Sequence, residues 1–102
     1  MKLNHVAFVF FGPALDPKIH RSEIKTDQFV LTSVGVATND WDQAIEVAKK
    51  LVANGVQLIE LCGGFGPMGV AKISEGIGHK IPVGGVLYGG EAYQPILDLL
   101  KD

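Results

Sequence analysis

Residues 40–67 read DWDQAIEVAKKLVANGVQLIELCGGFGP, and three successive patterns in them decide the fold. Trp41, Ala44, Ile45, Ala48, Leu51 and Val52 recur at the spacing that gives an α-helix one apolar face. Asp40, with Gln43 three residues on, resembles a capping box at its start, and Asn54-Gly55 supplies a left-handed stop. VQLIELC (56–62) follows without a break and is rich in the residues that favour strands. Three glycines then lie at 63, 64 and 66, and Pro67 suits the first turn of a new helix. A helix, a strand, a tight glycine turn and a second helix in 28 residues form the repeating unit of a parallel α/β sheet.

The rest of the chain extends this unit in both directions. HVAFVFF (5–11) is nearly all apolar and ends at Gly12-Pro13, as expected of a strand buried on both faces. FVLTSVGVA (29–37) reads as a second strand, and IPVGGVLYG (81–89) as a fourth. GPMGVAKISEGIG (66–78) and AYQPILDLLKD (92–102) read as helices, with Pro95 tolerated in the first turn of the latter. Between the first two strands, Asp16-Pro17 is a plausible helix start, and one or two irregular turns are expected through Lys18–Lys25. The expectation is one α/β domain over residues 1–102. It has a single-layer, four-stranded, mostly parallel sheet and three main helices (β-x-β-α-β-α-β-α), flavodoxin-like or resembling half of a (β/α)-barrel.

Composition narrows the function classes. The 102 residues are 47% hydrophobic and 20% charged with a formal net charge of −2, typical of a globular chain. No basic run exceeds Lys49-Lys50, which argues against nucleic acid as a partner. No apolar run approaches the ~20 residues that span a bilayer, which argues against a membrane role. A lone cysteine cannot form an intrachain disulfide, so a cytoplasmic setting is expected. The three histidines do not converge and no His-x-His spacing occurs, so no metal site is expected. No Gly-Lys-Ser/Thr follows the glycines at 63–66, so a phosphate loop is not expected, and the cofactor stays unknown.

In open α/β sheets ligands bind beyond the carboxyl ends of the strands. That rule singles out the loop Cys62-Gly63-Gly64-Phe65-Gly66. Amides at the start of the following helix favour a phosphate, a carboxylate or a thiolate. Cys62 is thus a candidate nucleophile with a depressed pKa, or else a buried residue in an ordinary turn. Strand alternation sets Glu60 on the same face as Cys62, where it is a candidate acid or base; the alternative is an ion pair with His5, Arg21 or a lysine. His20 and Arg21, expected at the same end of the sheet, are candidates for a base and an anion anchor. Tyr88 is a candidate pocket wall. Two functions follow: binding of a small, anionic metabolite at the strand ends with possible Cys/Glu-assisted chemistry, or a non-catalytic oligomerising or partner-docking module. Whether the protein is an enzyme stays open. Four parallel strands with three helices are expected to leave a face or edge undercovered, so a homodimer or higher homo-oligomer is expected.

Asp16-Pro17, His20-Arg21, GVQLIELCGGFG, GVAKISEGIG and KIPVG together resemble a family of small uncharacterised α/β proteins, a domain of unknown function. The likeness spans almost the whole chain, with ELCGGFG its most specific part. It implies one compact domain and interest in His20, Arg21, Glu60 and Cys62, and it transfers no activity.

Overall fold

The computed structural model describes residues 2–102. It has five strands, β1 (His5–Gly12), β2 (Arg21–Lys25), β3 (Val30–Ala37), β4 (Leu58–Leu61) and β5 (Val83–Gly85). Three helices accompany them, α1 (Trp41–Ala53), α2 (Gly66–Gly76) and α3 (Tyr93–Leu100). The sheet order is β2-β3-β1-β4-β5. β1 pairs in parallel with both β3 and β4, β4 pairs in parallel with β5, and β2 runs antiparallel to β3. The α/β class therefore holds, but the sheet is five-stranded and mixed rather than four-stranded and mostly parallel.

The added strand explains the difference. Asp16–His20 makes a tight turn, with the Ile19 and His20 N–H groups donating to the Asp16 carbonyl at 3.0 and 2.7 Å. Residues 21–25 then extend as β2 instead of coiling into the expected helical turns. A hairpin closes β2 onto β3: the Thr26 N–H donates to the Phe29 carbonyl at 2.8 Å, and the Thr26 hydroxyl accepts from the Gln28 and Phe29 amides. RSEIK carries no helical periodicity, and Thr26-Asp27-Gln28 supplies the turn chemistry that a short antiparallel return needs.

α1 begins where its sequence predicts. The Asp40 carboxylate accepts from the Gln43 N–H at 3.1 Å. The Gln43 side chain does not complete the box; it accepts from the Ala37 N–H at 3.4 Å and so ties the helix start to the end of β3. Gly55 and Gly78, at φ +95° and +67°, follow the ends of α1 and α2 in the left-handed region. Asp40→Ala removes the cap and is expected to cost about 1 kcal/mol. Differential scanning calorimetry reads this as a Tm lowered by about 4–8 °C.

Both α1 and α2 cover the same face of the sheet. Ala44, Ala48 and Leu51 of α1 and Ile73 of α2 pack on Ala7, Val9, Val34, Val36, Ile59 and Leu61. The opposite face carries Val6, Phe8, Phe10, Leu31, Leu58 and Glu60, which alternate with these core residues along their strands, and no helix covers it. Right-handed crossovers account for this. The connections β3-α1-β4 and β4-α2-β5 travel the same way across the sheet and place their helices on one side. The connection from β1 to β3 travels the other way, and its crossover helix would cover the second face. The chain spends that connection on β2 instead.

Candidate functional site

β1 hands its chain toward β3 and β4 hands its chain toward β5, so their carboxyl ends flank the position where doubly wound sheets hold ligands. In this protein the position is filled. The Phe11 N–H donates to Cys62 Sγ at 3.3 Å, and the Cys62 N–H continues the ladder to the Val9 carbonyl at 3.1 Å. The Phe11 and Phe65 rings stack with centroids 3.9 Å apart. Trp41 meets them edge-on at 5.1 and 5.6 Å. The Tyr88 ring lies on Gly63, in space that any Cβ there would need. Cys62 is thus half-buried and packed beside the hydrophobic core. The start of α2 above it has neither a capping side chain nor an acidic residue in its first turn, and Gly66 stands at φ +64°.

Glu60 is elsewhere. It is exposed and lines a shallow depression on the bare face with Leu58, Pro82 and Val83 to Val86. With helices on one face only, a carboxylate on the other is solvated and needs no buried partner. Among the described residues no hydrogen bond or ion pair joins Glu60 to Cys62, to His5 or to Arg21.

His20 and Arg21 do not reach the strand-end loop. His20 Nδ1 accepts from the Asp16 N–H at 2.8 Å and braces the turn, and the His20 carbonyl accepts from the Gly35 N–H. Arg21 lies opposite Val34, which is level with Val9 and Leu61. Three strand spacings of ~4.8 Å put it about 14 Å from the Cys62 loop. The other histidines are likewise local: His5 Nε2 meets the Thr32 hydroxyl at 3.2 Å, and His79 Nδ1 meets the Ser74 hydroxyl at 2.9 Å. Among the described residues no three His, Cys, Asp or Glu side chains gather as a metal site.

Arg21 instead lines a groove between the β2 edge and α1. Lys18 and Arg21 form one wall, Gln43, Glu46, Lys50 and Asn54 of α1 form the other, and Val34, Val47 and Leu51 give it an apolar floor. The cavity holds about 190 Å³, space for roughly six waters at ~30 Å³ each. Glu46 pairs with Lys49 at 3.4 Å, while Lys18, Arg21 and Lys50 have no ion-pair partner among the described residues. Three cations around an apolar floor can hold an anion by its charge and the rest of its body by burial. Lys18, Val47 and Lys50 were not singled out by the sequence. The signal for two of them lies in α1, where Gln43, Val47, Lys50, Leu51 and Asn54 follow one another at helical spacing along a second stripe beside the apolar face.

No helix among the described residues is long and apolar enough to cross a membrane. Comparison with curated proteins and with solved structures gives no match. A family model described as a family of unknown function, DUF6506, matches residues 4–101. Strands, helices, groove and strand-end loop all fall within that span, and the chain is a member of this family.

Proposed function

We propose that the protein binds a small ligand combining a carboxylate or phosphate with a compact apolar body, in the groove between β2 and α1. One observation carries the reading: Arg21, Lys18 and Lys50 line a small cavity with an apolar floor, against a single carboxylate, Glu46, which pairs with Lys49. Arg21 extends from a strand held by five register pairs to β3, so its guanidinium approaches the groove from a rigid base, which lowers the ordering cost of binding. The role assigned is binding, and the anion anchor is Arg21, as its residue type suggests.

A second location has support of its own. The uncapped start of α2 beside Gly63, Gly64 and Gly66 offers amides to an anion at the strand ends, with the Tyr88 ring lying over Gly63. The two sites are separable. In a titration with benzoate, short aliphatic carboxylates and inorganic phosphate, followed by amide NMR shifts, perturbations are expected at Arg21, Val34, Val47 and Lys50. Arg21→Ala is expected to weaken the best ligand by about 10- to 100-fold, the loss of one charged hydrogen-bonding partner. Shifts confined to residues 63–66, unaffected by Arg21→Ala, would relocate the site to the strand ends. Saturable shifts at neither place would overturn both.

A further inference from the structure

The carboxyl-terminal segment concentrates the exposed apolar side chains of the molecule. Among the described residues, seven of the ten exposed large hydrophobic side chains fall between Val86 and Leu100. α3 buries none of its residues, and Leu87, Leu99 and Leu100 are 81%, 84% and 74% exposed. The helix is nonetheless amphipathic. Gln94 and Lys101 both bond to the Asp98 carboxylate, at 3.0 and 3.4 Å, making one polar stripe. Tyr93, Ile96, Leu97 and Leu100 fall on the other side at helical spacing. The segment leaves the sheet at its β5 edge, with the Val86 N–H still donating to the Leu61 carbonyl at 2.9 Å. The same molecule also has a sheet face that no helix covers, opposite α1 and α2, where Phe8, Phe10, Leu31 and Leu58 are partly exposed around a buried Val6.

We propose that residues 86–102 form an arm that docks on the bare sheet face of a second copy, each copy giving its arm and receiving the other's in a two-fold pair. The area fits. About 100 Å² of apolar surface per large side chain, scaled by the exposures, leaves roughly 400 Å² on each arm. The receiving face adds less, roughly 150 Å² from its partly exposed apolar side chains, so a reciprocal pair buries roughly 1,100 Å², just above the ~1,000 Å² that a specific interface needs. A lipid surface fits the arm less well. Its polar side carries Asp98 and Asp102 against Lys101 alone, whereas helices that lie on membranes present lysine and arginine there.

Light scattering on the full chain at micromolar concentration is expected to give the mass of a dimer. Leu97→Asp with Leu100→Asp is expected to loosen the pair by a hundredfold or more and leave a monomer. Its unfolding transition, measured where both proteins are monomeric, should be unchanged, because both side chains are exposed in the single chain. A photo-cross-linking phenylalanine analogue in place of Leu99, in a co-refolded mixture of heavy- and light-nitrogen chains, is expected to join heavy to light. Its adducts should fall on Phe8, Leu31 or Leu58. A monomeric chain would overturn the proposal, whether the arm then folds on its own sheet and cross-links only within a chain or pellets with anionic vesicles. A dimer indifferent to the double substitution would overturn it equally. None of these outcomes bears on the Arg21 groove, which lies on the other face.

Discussion

Phe65→Ala is expected to cost about 3–5 kcal/mol, a large share of the ~5–15 kcal/mol that holds a domain of this size together. Phe65 is buried, stacks on Phe11 at 3.9 Å and takes the edge of Trp41 at 5.6 Å. Its removal strips two aromatic partners at once, and aromatic pairs contribute beyond their area. The site cannot easily collapse. Phe11 is fixed in β1 by its register with Val36, and Trp41 is fixed at the first turn of α1. Urea unfolding should show the midpoint falling with the slope unchanged. A second readout ties the residue to the strand-end loop. With Phe65 gone, the ring packing beside Cys62 thins although the Phe11 backbone stays in β1, and iodoacetamide should modify the native thiol faster than in the parent. A loss of stability without any change in the alkylation rate would show that the ring pair does not control access to the sulfur.

Ile59→Ala is the second large effect, about 2–5 kcal/mol and expected in the upper half of that range. Ile59 is fully buried in β4 with Ala7 of β1 on one side and Val83 of β5 on the other. Its own N–H donates to the Pro82 carbonyl at 3.1 Å. The backbone is therefore held from both sides, and Ala7 is too small to fill the hole, so the cavity persists. Ile24→Ala serves as the control. Ile24 is mostly exposed on the edge strand β2, and its loss should stay within about 0.5 kcal/mol. A cost below 1 kcal/mol for Ile59→Ala would mean that α1 and α2 settle into the vacated space.

The elements legible in the sequence were those whose periodicity reports on the core. α1 was readable because its apolar stripe, its Asp40 cap and its Asn54-Gly55 stop agree. β1 and β3 were readable from their apolar, β-branched composition. β2 was not, because all five of its residues are exposed, so no burial signal marks RSEIK as a strand, and only its pairing with β3 makes it one. The near-continuous apolar run of β1 suggested helices on both faces. In fact one half of that run meets α1 and α2 while the other half, Val6, Phe8 and Phe10, lies on a face that no helix covers. Helices on both faces would put the Glu60 carboxylate near the interior, whereas the structure exposes it. The sequence sets the loop at the carboxyl end of its strand, which depends only on connectivity; the strand's place inside the sheet follows from a strand order that the sequence does not reveal. What fills that strand end depends on side-chain packing between Phe11, Trp41 and Phe65, residues 24 or more positions apart, which no local pattern reveals.

The two outer rims of the sheet also limit how the chain assembles. On one rim β2 spans only five residues, with Arg21, Glu23 and Lys25 alternating along it; on the other, β5 is three residues long and ends in two glycines. A foreign strand laid along either rim would gain few ladder bonds and would have to desolvate charges or grip a backbone with nothing to pack on. Addition of chains edge to edge into an endless cross-β ribbon is thereby discouraged, whereas the proposed exchange of arms asks nothing of either rim and closes on itself.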